Sequence, residues 1–161
     1  MLATIALSLD SLFAGAALGF FGVSKKYWGL ACTMVGLADL AALILGRVLS
    51  GFIGISMTPS QQVTLFTCCA AVAMLLGRAC VRHPRTTILG LALLFSIDNL
   101  LAGSQSAGLP STAAAALTTG VLSALACFAG LRFASAIAVH VRPRVSFAFA
   151  SMAVVAGLVV F

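Results

Sequence analysis

The sequence predicts an all-α integral membrane protein whose six transmembrane helices form two inverted-topology three-helix repeats. Three observations lead there. The chain is 62% hydrophobic and only 7% charged, with a mean hydropathy of +1.20, the balance of a protein that is nearly all membrane span. Its apolar residues fall into six stretches separated by short loops. One eight-residue phrase occurs twice, in the first stretch and in the fourth. Its copies are Ser8-Leu9-Asp10-Ser11-Leu12-Phe13-Ala14-Gly15 and Ser96-Ile97-Asp98-Asn99-Leu100-Leu101-Ala102-Gly103, identical at five of eight positions.

A membrane-spanning helix needs ~20 apolar residues. The first candidate runs from about Leu2 to Gly22 and stops before Ser24-Lys25-Lys26. The second runs from about Tyr27 to Ser50, with Tyr27 and Trp28 suited to the aromatic belt at the interface. Gly51 to Ser60 reads as a turn region, and Thr58-Pro59-Ser60 as a helix restart. The third span covers about Gln61 to Val81, and Arg82-His83-Pro84-Arg85 breaks the pattern. The fourth covers about Thr86 to Gly108. Leu109-Pro110-Ser111 opens the fifth, with Pro in its first turn, and that helix ends near His140. Arg142-Pro143-Arg144 separates it from a sixth, about Val145 to Phe161. All 161 residues are thus expected in one membrane domain, with repeat one about 1–83 and repeat two about 84–161.

Charge sets the orientation. Lys25 and Lys26 fall in the first loop, Arg82 and Arg85 in the third, Arg142 and Arg144 in the fifth. The second and fourth loops carry no basic residue. The positive-inside rule then puts loops one, three and five in the cytoplasm and both termini outside. The net charge of +6 therefore indicates orientation, and nucleic acid is not an expected partner. A cleaved signal peptide is not expected either, because Met1 leads into apolar sequence without a basic region and Asp10 interrupts the run. Cys32, Cys68, Cys69, Cys80 and Cys127 form no CxxC pair and read as small packing residues.

The chain has three acids, and all of them lie inside apolar stretches. A charge at that depth costs at least ~3 kcal/mol on insertion scales, which makes each a functional-site candidate. Asp10 shares a helical face with Ala3, Ala6, Ala14 and Ala17, so it is expected to look into the bundle. Asp98 shares its face with Ala102 and Gln105 and has Asn99 as its neighbour. The amides of Gln105 and Asn99 supply carbonyl oxygens. Ser8 and Ser96 open the two phrases and are supporting candidates. Asp39 is the third acid, with Arg47 about two turns further along, either snorkelling outward or pairing with a carboxylate.

Three helices separate the two phrases, so the first descends where the fourth ascends. That is the inverted-repeat plan of many secondary transporters. Gly36 to Arg47 can be laid against Gly120 to Arg132 with a one-residue slip. No acid in the second half answers Asp39; that neighbourhood offers Ser123 and Ala124. Midplane carboxylates with amide and hydroxyl oxygens suit a hard divalent cation, and alternation between metal-bound and protonated carboxylates gives a route for proton exchange. His83 and His140 lie near loop ends and are poor midplane ligands.

Ser-x-Asp followed by small residues and Gly, once in helix one and again in helix four, resembles the bacterial manganese efflux pump family of the MntP type, within the LysE-like exporters. Asp39 in Gly36-Leu37-Ala38-Asp39 and the Leu75-Leu76-Gly77-Arg78 ending of helix three fit the same pattern. The resemblance implies a six-helix exporter of the bacterial inner (plasma) membrane that lowers cytoplasmic manganese. Asp10, Asp39 and Asp98 would be its metal-binding acids, with Asn99 beside them. Two departures stand out: the helix-two acid is usually Glu in the family, and Asn99 stands where Ala is typical. The expected partners are a divalent metal ion as transported substrate, the lipid bilayer and a second copy of the chain. No resident cofactor and no enzymatic activity are expected. Export of cadmium or of a small amino acid is an alternative, as is a non-transporting accessory subunit. An intramembrane aspartyl protease fits less well, because no Gly-x-Gly-Asp stands around Asp10 or Asp98.

Overall fold

The computed structural model describes residues 9–52, 59–79, 83–97, 99–101 and 113–159. Among them it contains six α-helices and no strand: α1 Leu9–Phe20, α2 Trp28–Phe52, α3 Pro59–Ala79, α4 Pro84–Phe95, α5 Ala113–Ala138 and α6 Pro143–Val159. A single 3₁₀ turn, Lys25–Tyr27, leads into α2.

The punctuation follows local chemistry. Beyond α1, Gly22 takes φ +78°, and the Val23 N–H bonds the Leu18 carbonyl while the Gly22 N–H bonds that of Gly19. These are the two bonds of a Schellman cap, and glycine adopts the left-handed residue at no steric cost. Pro59, Pro84 and Pro143 each open a helix, where the missing N–H has no intrahelical partner to lose.

The fourth helix departs from expectation. The sequence predicts one helix from about Thr86 to Gly108, but α4 ends at Phe95. Ser96 sits at φ −84°, ψ 0°, and helical geometry resumes at Ile97 and at residues 99–101. The Ser96 hydroxyl lies 2.8 Å from the Ala92 carbonyl one turn back, the local side-chain bond that bends helices. Hydropathy alone cannot register this break, because the residues on both sides are equally apolar.

Among the described residues, two helices are long and apolar enough to cross a membrane on their own, Lys25–Leu49 and Ala116–Ala138, at mean hydropathies of 1.9 and 1.8. Only 39% and 28% of these windows are buried, whereas the core helix of a soluble protein is mostly covered. Their outward faces carry Leu37, Leu45, Leu125 and Phe133. The interior combines an apolar core that includes Leu18, Ile88, Leu91 and Phe95 with the buried polar residues Asp10, Ser11, Asp39, Ser96, Asn99 and Ser123. The remaining helices are shorter in their described parts, and α3 opens on the polar run Ser60-Gln61-Gln62.

Packing interleaves the chain's two halves. α1 lies against α5 and α6, α2 against α5 and α4, and α3 against α4 and α6. Small residues permit the closest approaches. A Cβ on Gly15 would run into the Cys127 carbonyl, and one on Gly130 into the Leu12 carbonyl. Gly36 and Gly120 are reciprocal, since a Cβ on either would meet the other's carbonyl oxygen. The C-terminal ends of α1 and α3 and the N-terminal ends of α4 and α6 gather at one end. There Phe20 stacks on Phe149 at 5.5 Å, the Ser146 hydroxyl donates to the Phe20 carbonyl, Gly77 lies under the Phe21 ring, and Thr87 donates to the Leu76 carbonyl.

A branched side chain at Gly15 must push backbone from backbone, whereas nothing lies within 4 Å of a Cβ at Gly29. Gly15→Val should therefore cost ~3 kcal/mol or abolish the folded form, and Gly29→Val should be neutral or slightly stabilising. Unfolding of both variants in detergent micelles, followed by circular dichroism, reads the contrast.

Candidate functional site

The buried polar residues converge where α1, α2, the Ser96 break and α5 meet. Asp39 stands near the middle of the 25-residue α2 and is completely buried. Both of its oxygens are engaged: the Ser11 hydroxyl donates to Oδ2 at 2.7 Å, and the Ser96 hydroxyl lies 2.6 Å from Oδ1 as its donor. Ser123 and Asn99 stand beside the same carboxylate. The three hydrogen-bonding residues Ser11, Asp39 and Ser96 come from three different segments, so the arrangement exists only in the packed bundle.

Asp10 is 1% exposed, on the face that includes the fully buried Ala14 and Ala17, as the small-residue stripe predicts. Its Oδ1 accepts the Ser11 backbone N–H at 2.6 Å and lies 3.2 Å from the Ser11 hydroxyl. The Asn99 amide donates to its Oδ2 at 3.4 Å. Ser11 therefore links the two carboxylates. Its hydroxyl carries one proton and faces an oxygen of each acid. Ser96 is in the same position, with one proton and two acceptors, Asp39 Oδ1 and the Ala92 carbonyl.

Asp10, Asp39, Ser96 and Asn99 of the predicted set are thus brought together. Asp98, Ser8 and Gln105 lie outside the described residues. Arg47 is half-buried on α2, and among the described residues the hydrogen-bond donors to Asp39 are serines of other segments, not Arg47. Ser11 escaped the sequence reading, whereas Ser123 was named there only as what the second half offers opposite Asp39. Ser11 is the phrase position that corresponds to Asn99, and that correspondence was the available signal. Ser123 follows Gly120 by three residues, as Asp39 follows Gly36, so the reciprocal glycine contact makes the two positions counterparts. The Ser123 hydroxyl is fully buried and meets no hydrogen-bond partner among the described residues.

The donor set is all oxygen apart from the Asn99 amide nitrogen. Among the described residues no three His, Cys, Asp or Glu side chains gather. Cys69 and Cys127 are buried free thiols within the apolar core, and His83 and His140 are exposed at helix ends. Carboxylate, hydroxyl and amide carbonyl oxygens are ligands for hard cations, while thiophilic ions seek sulfur.

Removing a hydroxyl that serves a buried carboxylate leaves an acceptor unmet, at a cost of ~1–3 kcal/mol. Ser11→Ala and Ser96→Ala should each lose stability in that range, whereas Ser123→Ala should stay within ~0.5 kcal/mol. Unfolding in detergent separates the three, and equal losses would contradict this geometry.

No protein-family model, curated protein or solved structure matches the chain.

Proposed function

We propose that the chain is a six-span transporter of two inverted three-helix halves that exports a divalent metal cation, Mn2+ first among candidates, from the cytoplasm. The observation that carries this reading is the Asp10–Ser11–Asp39 linkage, two buried carboxylates joined by one hydroxyl midway along an apolar helix. Two such groups in a low-dielectric interior require a cation or a proton between them. A site that accepts either one supports exchange of metal for protons. The oxygen-rich donor set favours a hard ion over cadmium, and Asp98 belongs to the proposed site through its phrase.

The inverted repeat draws support from the packing. Exchanging α1 with α4, α2 with α5 and α3 with α6 turns the α1–α5 contact into α4–α2, and α1–α6 into α4–α3. The α2–α5, α3–α6 and α1–α4 contacts map onto themselves. The reciprocal Gly36–Gly120 approach is what a two-fold axis through the α2–α5 crossing requires. The inverted plan also suits an alternating-access mechanism, with the site at the interface of the halves. The basic end holds Lys25, Lys26, Arg85 and Arg142, which in this reading faces the cytoplasm, with both termini outside. The host membrane is the bacterial inner membrane.

The rival reading is a non-transporting accessory subunit, favoured by the two serine hydrogen bonds that already satisfy Asp39. Cellular manganese, measured in bacteria lacking their own exporter under manganese load, decides between them. Wild type should lower it severalfold. Asp10→Asn, Asp39→Asn and Asp98→Asn should each abolish the effect while still inserting. Manganese unchanged by well-expressed wild type would sink the export reading, and a fall in another solute instead would replace the substrate.

A further inference from the structure

The basic end of the bundle contains a second feature that the transport site does not use. A cavity of about 730 Å³ opens between the α1–α2 loop and the last turns of α5. Its walls are mostly apolar, and Lys25 and Arg132 line it together with Trp28, Ser24 and Ser135. The chain has three acids against nine Lys and Arg. Asp10 and Asp39 are buried in the transport site, and Asp98 is in the repeated phrase. Among the described residues, no carboxylate is therefore left at this end for Lys25 or Arg132. Lys26 differs, because its ammonium lies 4.9 Å over the Tyr27 ring.

We propose that this cavity is a binding site for the headgroup of an anionic phospholipid. The inference rests on the reading of the chain as a membrane protein. Two exposed cations on opposite walls suit a phosphate diester plus the negative charge of its leaflet. Arg132 stands six residues before the end of α5, a depth from which its side chain reaches the headgroup layer along the apolar wall. Trp28 donates its indole N–H to the Val23 carbonyl at 3.2 Å and packs edge-on against Phe128 at 6.2 Å, so its ring is fixed at the cavity wall, where tryptophan marks the interface. Val139 in its lining and Phe128 against Trp28 are exposed and apolar, ready to meet acyl chains. A soluble anion would leave that surface uncovered; a lipid uses both parts.

Trp28 is the chain's single tryptophan, so its fluorescence reports on this cavity alone. The test is quenching of the purified protein reconstituted in vesicles containing brominated phosphatidylglycerol or brominated phosphatidylcholine at equal mole fraction. The expected result is a preference for phosphatidylglycerol of about fivefold or more over phosphatidylcholine. Lys25→Gln with Arg132→Gln should remove the preference while ordinary quenching by phosphatidylcholine persists. Exchanging the two cations, Lys25→Arg with Arg132→Lys, should keep it, as should Lys26→Gln. Equal quenching by the two lipids would overturn the proposal, and so would a preference that survives the double Gln variant. Absence of quenching by either lipid would instead remove the membrane reading on which it depends.

Discussion

Everything in this bundle is arranged around the requirement that the Asp39 carboxylate, deep inside an apolar helix, find hydrogen-bond partners. Nothing on α2 within a turn of Asp39 offers one, so the donors come from elsewhere: Ser11 from α1 and Ser96 from the break after α4. In the membrane reading proposed above, helices gain little from burying apolar surface against one another, because lipid is just as apolar. Close packing and polar contacts must then fix their register. Here the glycines at 15, 36, 120 and 130 bring backbones together, and the serine–carboxylate network determines which turns face each other. A slide of α1 by one turn would separate Ser11 from Asp39 and drive Gly15 off the Cys127 carbonyl at once.

The parts of this arrangement that a sequence exposes are those with a large local cost or benefit. Asp10 and Asp39 are visible because a carboxylate in an apolar run is expensive. Pro84, Pro143 and Gly22 are visible because each permits only a few backbone geometries. Ser11 carries no such signal, since serine is inexpensive in an apolar helix and usually bonds its own backbone. Only its position opposite Asn99 in the repeated phrase distinguishes it. Ser123 is visible in the alignment of Gly36 with Gly120, but its burial beside Asp39 rests on the crossing of those two glycines, residues 84 positions apart. The pairing of Asp39 with Arg47 was plausible on helical spacing alone, but spacing within one helix says nothing about what other helices deliver to the same point.

The break at Ser96 has a similar origin and a larger consequence. The fourth apolar stretch has no proline and no glycine between Leu91 and Leu101, so no backbone signal marks a bend. The bend comes from a side chain that touches the Ala92 carbonyl and the Asp39 carboxylate together. One hydroxyl proton cannot satisfy both oxygens. While Asp39 is charged, it is the stronger acceptor and draws the proton away from the helix. Once Asp39 is neutralised, by a proton or by a cation, the Ala92 carbonyl can reclaim it. The Ser96 hydroxyl thereby joins the end of α4 to the Asp39 carboxylate on α2.

That contact bears on the asymmetry between the two proposed halves. If Ser123 were an acid, as its counterpart Asp39 is, another negative charge would press into the same low-dielectric space. Its repulsion would have to be offset by a further proton or cation whenever the site emptied. A hydroxyl in that place contributes an oxygen without a charge, which keeps the described cluster at two carboxylates. In the proposed inverted repeat, Ser123 opposite Asp39 and Ser11 opposite Asn99 are the positions where the two halves differ within the cluster.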